Sequence, residues 1–428
     1  MSGPMTQATR IVPLPTQRRQ RWGVLVPVVG LVALGVCGLV LLGQVSSNLG
    51  ISAVLVGVLC AMLPVGPVVA AFLWIDRWEP EPPRTLLVAF LWGACVAALA
   101  AYLINSGVAA LAEQNLGEGS GPVVGAIAAA PVVEEAMKGL FLVGLLVFRR
   151  REFDGVVDGV VYAGLVAAGF AFTENIIYFG AAFVQNASIG QAAGVFVVVV
   201  LRGVLSPFAH PLFTAMIGIG VGIASRSPTV AGRVVAVAVG YAVAVVLHAL
   251  WNASSVVFGT DGFALVYLCV MVPVFAGLIG VVLWQRRREQ NVVIAQLPGF
   301  ARAGWIAPSE VPLLSSLAGR RGWRMAVRRA SGRHVEKAVS DYQVAITDLA
   351  FLRARMSRGA VGDESGRFWH AEALDAVRKA RARAVGHPEA LTVAIRRHNG
   401  PQGWTPPPPG PPPSFGPGTP PQSWPPRP

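Results

Sequence analysis

The sequence predicts an all-α polytopic membrane protein. About eight transmembrane helices are followed by a basic helical cytoplasmic region and a disordered Pro-rich tail. Three observations carry this prediction. Apolar runs near 20 residues recur through the first two thirds of the 428-residue chain, the length a helix needs to cross hydrocarbon. Charged residues make up only 13% of the chain, about half the usual share for soluble domains. Arginines between the apolar runs are confined to alternate loops.

Taken in order, residues 1–22 form a basic cytoplasmic N-terminus with Arg10, Arg18, Arg19 and Arg21. The apolar run after it has no A-x-A-like cleavage site, so it reads as a first anchor and not a removable signal. Residues 23–285 form the transmembrane core. Its crossings are expected near 23–43, 50–75, 85–112, 121–148, 155–183, 190–224, 233–257 and 263–284. Arg77 and Arg84, Arg149–Arg151, Arg226 and Arg233, and Arg286–Arg288 fall in every second loop, while the other loops hold only acidic charge or none. The positive-inside rule then places both termini in the cytoplasm. The sixth segment is too long for a plain span and contains Pro207 and Pro211, so one crossing broken near the prolines is expected.

Residues 286–400 are a basic helical cytoplasmic region. Amphipathic spacing marks 324–357 and 364–385 as helices. From Arg286 onward there are 22 Lys+Arg against 10 Asp+Glu, so nearly all of the net charge of +13 lies here. On a membrane protein this is the signature of a cytoplasmic face, with contact to anionic lipid, more than of nucleic-acid binding. Residues 401–428 are almost all Pro, Gly, Ser, Gln and Trp, a composition that buries no core. The cysteines Cys37, Cys60, Cys95 and Cys269 lie scattered in apolar runs, with neither metal-ligand nor disulfide spacing.

The fourth apolar segment breaks the pattern, because it carries Glu134, Glu135 and Lys138. Each charge at a bilayer centre costs roughly 2.5–3.5 kcal/mol, so three unpaired ones cost about 8–10 kcal/mol. A chain that keeps such a cluster uses it. Further polar residues lie at depth in other spans: Glu174 and Asn175, Arg202 and His210, His248 and Asn252. Glu134 and Lys138 are four apart, share a helix face and can pair. Glu135 lies about 100° away and can face another partner.

These residue types have a defined chemistry. Two neutral imidazoles and a carboxylate can hold Zn²⁺ with one position open for water. Metal lowers the pKa of that water and polarises a carbonyl. A second carboxylate can take the proton from water and deliver it to a leaving amine. Peptide hydrolysis needs these parts, although no HExxH signature is present. Each part also has a plainer use. A buried Glu–Lys pair can be structural or serve transport, and an intramembrane His or Asn can be hydrogen-bonded glue between helices.

The ordered motifs EEAMK at Glu134–Lys138, FAFTEN at Phe170–Asn175, His210, and HALWN at His248–Asn252 resemble those of the PrsW family. The DRWEPEP turn from Asp76 and the run DGVVDGVVYAGLVAAGFAF resemble it too. These are bacterial intramembrane proteases, similar in motif order to the CAAX prenyl endopeptidases. In those relatives an Arg follows the Glu pair and a His stands in the second motif. Here Lys138 stands one position nearer and Glu174 replaces the His, both in keeping with PrsW. The resemblance covers roughly residues 70–285.

The resemblance implies a metal-dependent peptidase in the bacterial plasma membrane acting on membrane-anchored substrates. Glu134 and Glu135 would supply the general base and its partner. Glu174, His210 and His248 would hold a divalent metal such as Zn²⁺ or polarise the scissile carbonyl. Asn252 would help form an oxyanion site, with Lys138, Phe170, Asn175 and Arg202 in support. Site-1 cleavage of an anti-sigma factor is the implied cellular reaction. Two other classes use the same residues: a non-catalytic membrane scaffold of this superfamily, and a proton- or cation-coupled transporter.

Overall fold

A computed structural model describes residues 22–78, 81–149, 155–188, 193–257, 259–359, 361–387 and 392. The basic segment 1–21, Arg150 and Arg151, and the Pro-rich tail lie outside the described residues. Every regular element among the described residues is a helix, in agreement with the predicted fold class. These residues fall into two compact units. One comprises residues up to Arg77 and Glu81–Gln285; the other comprises Trp78 and residues from Arg286 onward.

The first unit begins with α1 (Trp22–Leu49), α2 (Ile51–Ile75), α3 (Pro83–Leu91) and α4 (Ala98–Leu116). A short α5 (Ser120–Val124) leads to α6 (Ala130–Phe148). Then come α7 (Val156–Ser188), α8 (Ala193–Val199), α9 (Ala209–Arg226), α10 (Val230–Val256), α11 (Gly259–Val266) and the part of α12 (Val272–Arg302) up to Gln285, its remainder belonging to the second unit. Four π-helical turns interrupt the helical runs, at Trp92–Ala97, Gly125–Ala129, Val200–Leu205 and Tyr267–Met271. Such turns loosen the regular carbonyl–amide ladder and recur at functional sites.

Seven helical stretches among the described residues are long and apolar enough to cross a membrane. They are Val29–Leu49, Ile51–Ile75, Pro83–Leu116, Val156–Asn186, Gly194–Arg226, Val230–Val256 and Asp261–Arg302. The remaining expected crossing, 121–148, is helical through α5, a π-turn and α6. It differs from the seven by its three charges, which the protein buries: Glu134 is 5% exposed, and Glu135 and Lys138 are 0% exposed. The sixth segment is broken as expected. α8 and a π-turn end at Leu205, and α9 begins at Ala209.

α7 is the central helix of this unit, almost wholly buried, with α2, α3 and α9 packed on it. Its small residues let neighbouring backbones come close. A Cβ added at Gly159 would lie 2.0 Å from the Gly218 carbonyl oxygen, and one at Gly169 would lie 2.0 Å from that of Phe90. Without a hydrophobic drive inside lipid, such backbone approach is how helices associate. The approach at Gly159 sets the packing of α9 on α7. Glu174 and His210, one on each of these helices, come together further along the same pair.

The second unit has its own core, built from Val293, Leu297, Phe300, Trp323, Ile346 and Leu349 among others, with Trp78 also inside it. The amphipathic segments expected at 324–357 and 364–385 lie within α14 (Leu317–Ser357) and α15 (Asp363–Val385), which follow the one-turn α13 (Val311–Leu314). α14 bends at Gly332, whose φ of 83° only glycine adopts at little cost.

Candidate active site

α6 supplies the centre of the site. The (i, i+3) and (i, i+4) spacings put Glu134, Glu135 and Lys138 on adjoining faces of one helical turn. Lys138 Nζ donates to Glu135 Oε1 at 2.8 Å and lies 3.6 Å from Glu134 Oε2. The expected Glu134–Lys138 pair is thus the longer of the two contacts. Lys138 turns toward Glu135 because His210 waits on the same side, with Nδ1 3.0 Å from the ammonium. The Phe170 ring covers the ammonium from a centroid distance of 3.9 Å. That cation–π contact offsets part of the cost of its burial.

Glu135 is the saturated carboxylate. Oε1 also lies 3.0 Å from His248 Nδ1, and Oε2 accepts the Thr214 hydroxyl at 2.8 Å. Glu134 is different. Its Oε1 receives the Asn105 amide at 3.3 Å. Its Oε2 is buried with no hydrogen-bond partner and lies 3.9 Å from His248 Nε2. A buried acceptor left without a donor is expensive, about 1–3 kcal/mol, and marks a place where a further group is expected.

α7 and the π-turn before α9 supply the next layer. His210 Nε2 lies 2.7 Å from Glu174 Oε2. Arg202 pairs with that same oxygen, donates from Nε to Asn175 Oδ1 at 2.8 Å, and stacks on Tyr178. As an ammonium Lys138 can only donate, so His210 accepts at Nδ1 and gives its Nε2 proton to Glu174, and one of these two contacts would give way for the ring to hold a metal. Asn252 donates to the Ala126 carbonyl at 2.8 Å. Ala126 lies in the π-turn that feeds α6, so Asn252 holds the chain that delivers the two glutamates.

The ten residues singled out in the sequence thus occupy one connected region of four spans. Asn105 and Thr214 join it from helices whose motifs did not point to them. Their type gives no signal, since Asn and Thr recur throughout apolar helices as ordinary hydrogen-bonding residues.

The donor set suits a metal. Glu134, His210 and His248 each offer one ligand atom, all within 4.8 Å of one another, and all three residues are buried. Two imidazoles with a carboxylate form a Zn²⁺-type set, and the unpartnered Glu134 oxygen is consistent with it. Glu174 stands outside that trio. It lies against His210 and Arg202, on the far side of the ring from Lys138.

Fold and site together define a multi-pass helical membrane protein with a buried carboxylate–imidazole centre. Residues 81–278 match the family described as PrsW family intramembrane metalloprotease. The chain is 29% identical over 161 residues to Protease PrsW of Clostridioides difficile (strain 630), covering 37% of this chain and 62% of that protein. It is 32% identical over 143 residues to Protease PrsW of Geobacillus kaustophilus (strain HTA426), covering 33% and 55%. It is 27% identical over 152 residues to Protease PrsW of Bacillus subtilis (strain 168), covering 36% and 61%. The aligned part thus spans between 55% and 62% of these relatives. No solved structure matches the chain. The resemblance drawn from the motifs is borne out.

Proposed function

We propose that this chain is a metal-dependent intramembrane peptidase that hydrolyses peptide bonds of membrane-anchored proteins. The observation that carries the reading is Glu134 Oε2, a buried carboxylate oxygen without a donor beside two histidines. Glu134 is the proton acceptor in this reading. It takes a proton from the attacking water and returns it to the leaving amine as the C–N bond breaks. His210, His248 and Glu174 would hold the metal, which when bound would activate water and polarise the scissile carbonyl. Glu135 is the fixed partner that orients His248. Lys138 balances its charge, and Phe170 covers Lys138. Asn175 and Arg202 hold Glu174, and Asn252 steadies the approach to α6.

A second reading is favoured by the 4.8 Å grouping, which makes Glu134 the third metal ligand. One experiment separates the two. Purified protein is assayed for zinc content and for cleavage of a membrane-anchored substrate, as wild type, Glu134→Gln, Glu174→Gln and His248→Ala. Zinc kept by Glu134→Gln and lost from Glu174→Gln and His248→Ala supports Glu134 as base. Zinc lost from Glu134→Gln makes it a ligand. Full cleavage by all three variants would overturn the peptidase reading.

The cellular substrate in this proposal is an anti-sigma factor cleaved at site 1, as the family resemblance implies. Both termini are cytoplasmic, following the arginine-bearing loops. The basic region after Arg286 contacts anionic lipid.

A further inference from the structure

We infer that Thr214 is a positioning residue of this site: its hydroxyl fixes Glu135 so that His248 directs the lone pair of Nε2 toward Glu134. The inference rests on the proposed function above, and deepens it by naming what sets the orientation of one histidine.

Thr214 is 0% exposed and sits one helical turn after His210 on α9. The i, i+4 spacing puts both on the face that meets α6. A Thr inside a helix commonly turns its hydroxyl back to the carbonyl four residues earlier. This one does not. A hydroxyl has a single proton to give, and Thr214 Oγ1 donates it to Glu135 Oε2 at 2.8 Å. The opposite oxygen, Oε1, takes Lys138 at 2.8 Å and His248 Nδ1 at 3.0 Å. Both ends of the carboxylate are held, so its plane cannot turn.

The consequence falls on His248. Its Nδ1–H is committed to Glu135, so the neutral ring carries its lone pair on Nε2. That nitrogen lies 3.9 Å from Glu134 Oε2. Phe213, the neighbour of Thr214, stacks on the same ring with centroids 4.9 Å apart. One short segment of α9 therefore sets both the tilt and the tautomer of His248. Carboxylates that orient a metal-binding histidine in this way commonly change metal affinity 10- to 100-fold when lost. Thr214 acts one bond further out, on the carboxylate. A merely structural threonine would influence unfolding and leave the tautomer and metal affinity alone.

The test uses the full-length protein in detergent, with ¹⁵N-labelled histidine and zinc titrated against a competing chelator. In the zinc-free wild type, the His248 resonances, identified by their loss in His248→Ala, are expected to show the Nδ1–H tautomer. Thr214→Val keeps the shape and removes the hydroxyl. It is expected to mix the tautomers and weaken zinc binding roughly 10-fold or more, while Thr214→Ser restores both. A wild-type His248 protonated at Nε2 overturns the inference even if no variant folds. So does a Thr214→Val protein with wild-type tautomer and zinc affinity. Wild type that binds no zinc sinks the proposed function instead, and the nitrogen spectra then decide the role of Thr214 by themselves.

Discussion

Glu310 in the second unit and Glu134 in the first are both buried carboxylates, yet they are treated in opposite ways. Glu310 is 0% exposed. One oxygen accepts the Tyr342 hydroxyl, and the other takes Arg381 twice, from Nη2 at 2.6 Å and Nε at 3.2 Å. Burial lifts the Tyr342 hydroxyl well above the ordinary tyrosine range, and the charge of Glu310 beside it adds to the rise. That charge holds the Arg381 guanidinium up as well, against burial. Every partner of Glu310 is a donor already in place. Glu134 has one weak amide donor at 3.3 Å and a second oxygen with none. The difference teaches how to tell structure from chemistry among buried charges. A carboxylate that stabilises a fold is closed by its own protein, and one that must exchange a proton or accept a metal is left open.

The comparison breaks first at Glu134. Glu134→Gln keeps shape and hydrogen bonding but removes the basic oxygen. A loss of proton transfer is worth about 10²–10⁴-fold in rate. Cleavage of a membrane-anchored substrate is expected to fall by that range, with the unfolding midpoint near wild type. If cleavage survives within a few-fold, Glu134 is closed structure like Glu310.

Glu310→Ala probes the other side. Removing one partner of a fully buried charge pair costs about 3–5 kcal/mol, and with the Arg381 side chain 29% exposed the cost here is expected below that range. Hydrogen exchange across α14 and α15 is expected to speed up accordingly, with zinc affinity unchanged. Unaltered protection of α15 would mean that Arg381 finds water on its own and that the closed pair contributes little.

Much of this was legible in the sequence, for one physical reason: lipid makes charge conspicuous. Glu134, Glu135, Lys138, Glu174, Arg202, His210 and His248 each stand in a run where an apolar residue would be the cheaper choice. The number and length of those runs gave the fold class in the same way. What could not be read is geometry that depends on neighbours. Lys138 could pair at i−3 or i−4, and only His210 on another helix decides for Glu135. Thr214 and Asn105 differ from ordinary helix-packing residues solely by what lies opposite them. The π-turns have no sequence mark of their own, yet two of their carbonyls, Ala94 and Ala126, receive Thr173 and Asn252. The stretch 121–148, expected to cross by its length, is helical, but its charges keep it out of the seven stretches apolar enough to cross among the described residues.

Asp76 offers an intermediate case, and the smallest expected effect. It follows the last turn of α2, is 6% exposed, and accepts the Glu81 backbone N–H at 3.0 Å. Burial pushes its carboxyl up to about 7, against the pull of that one donor. The folded protein therefore holds a proton that the unfolded chain, with the carboxyl at 3.8, has released. Stability from this group is fully present at low pH, falls as pH rises toward 7, and is flat above it. At about 1.4 kcal/mol per pH unit, the loss between pH 5.5 and 8.5 is about 2 kcal/mol. Asp76→Asn keeps an acceptor for Glu81 and removes the titration. The thermal midpoint in detergent should then depend less on pH in the variant, and exceed the wild type at pH 8.5. Parallel curves for the two proteins would show that Asp76 is ionised throughout, with its charge met as completely as that of Glu310.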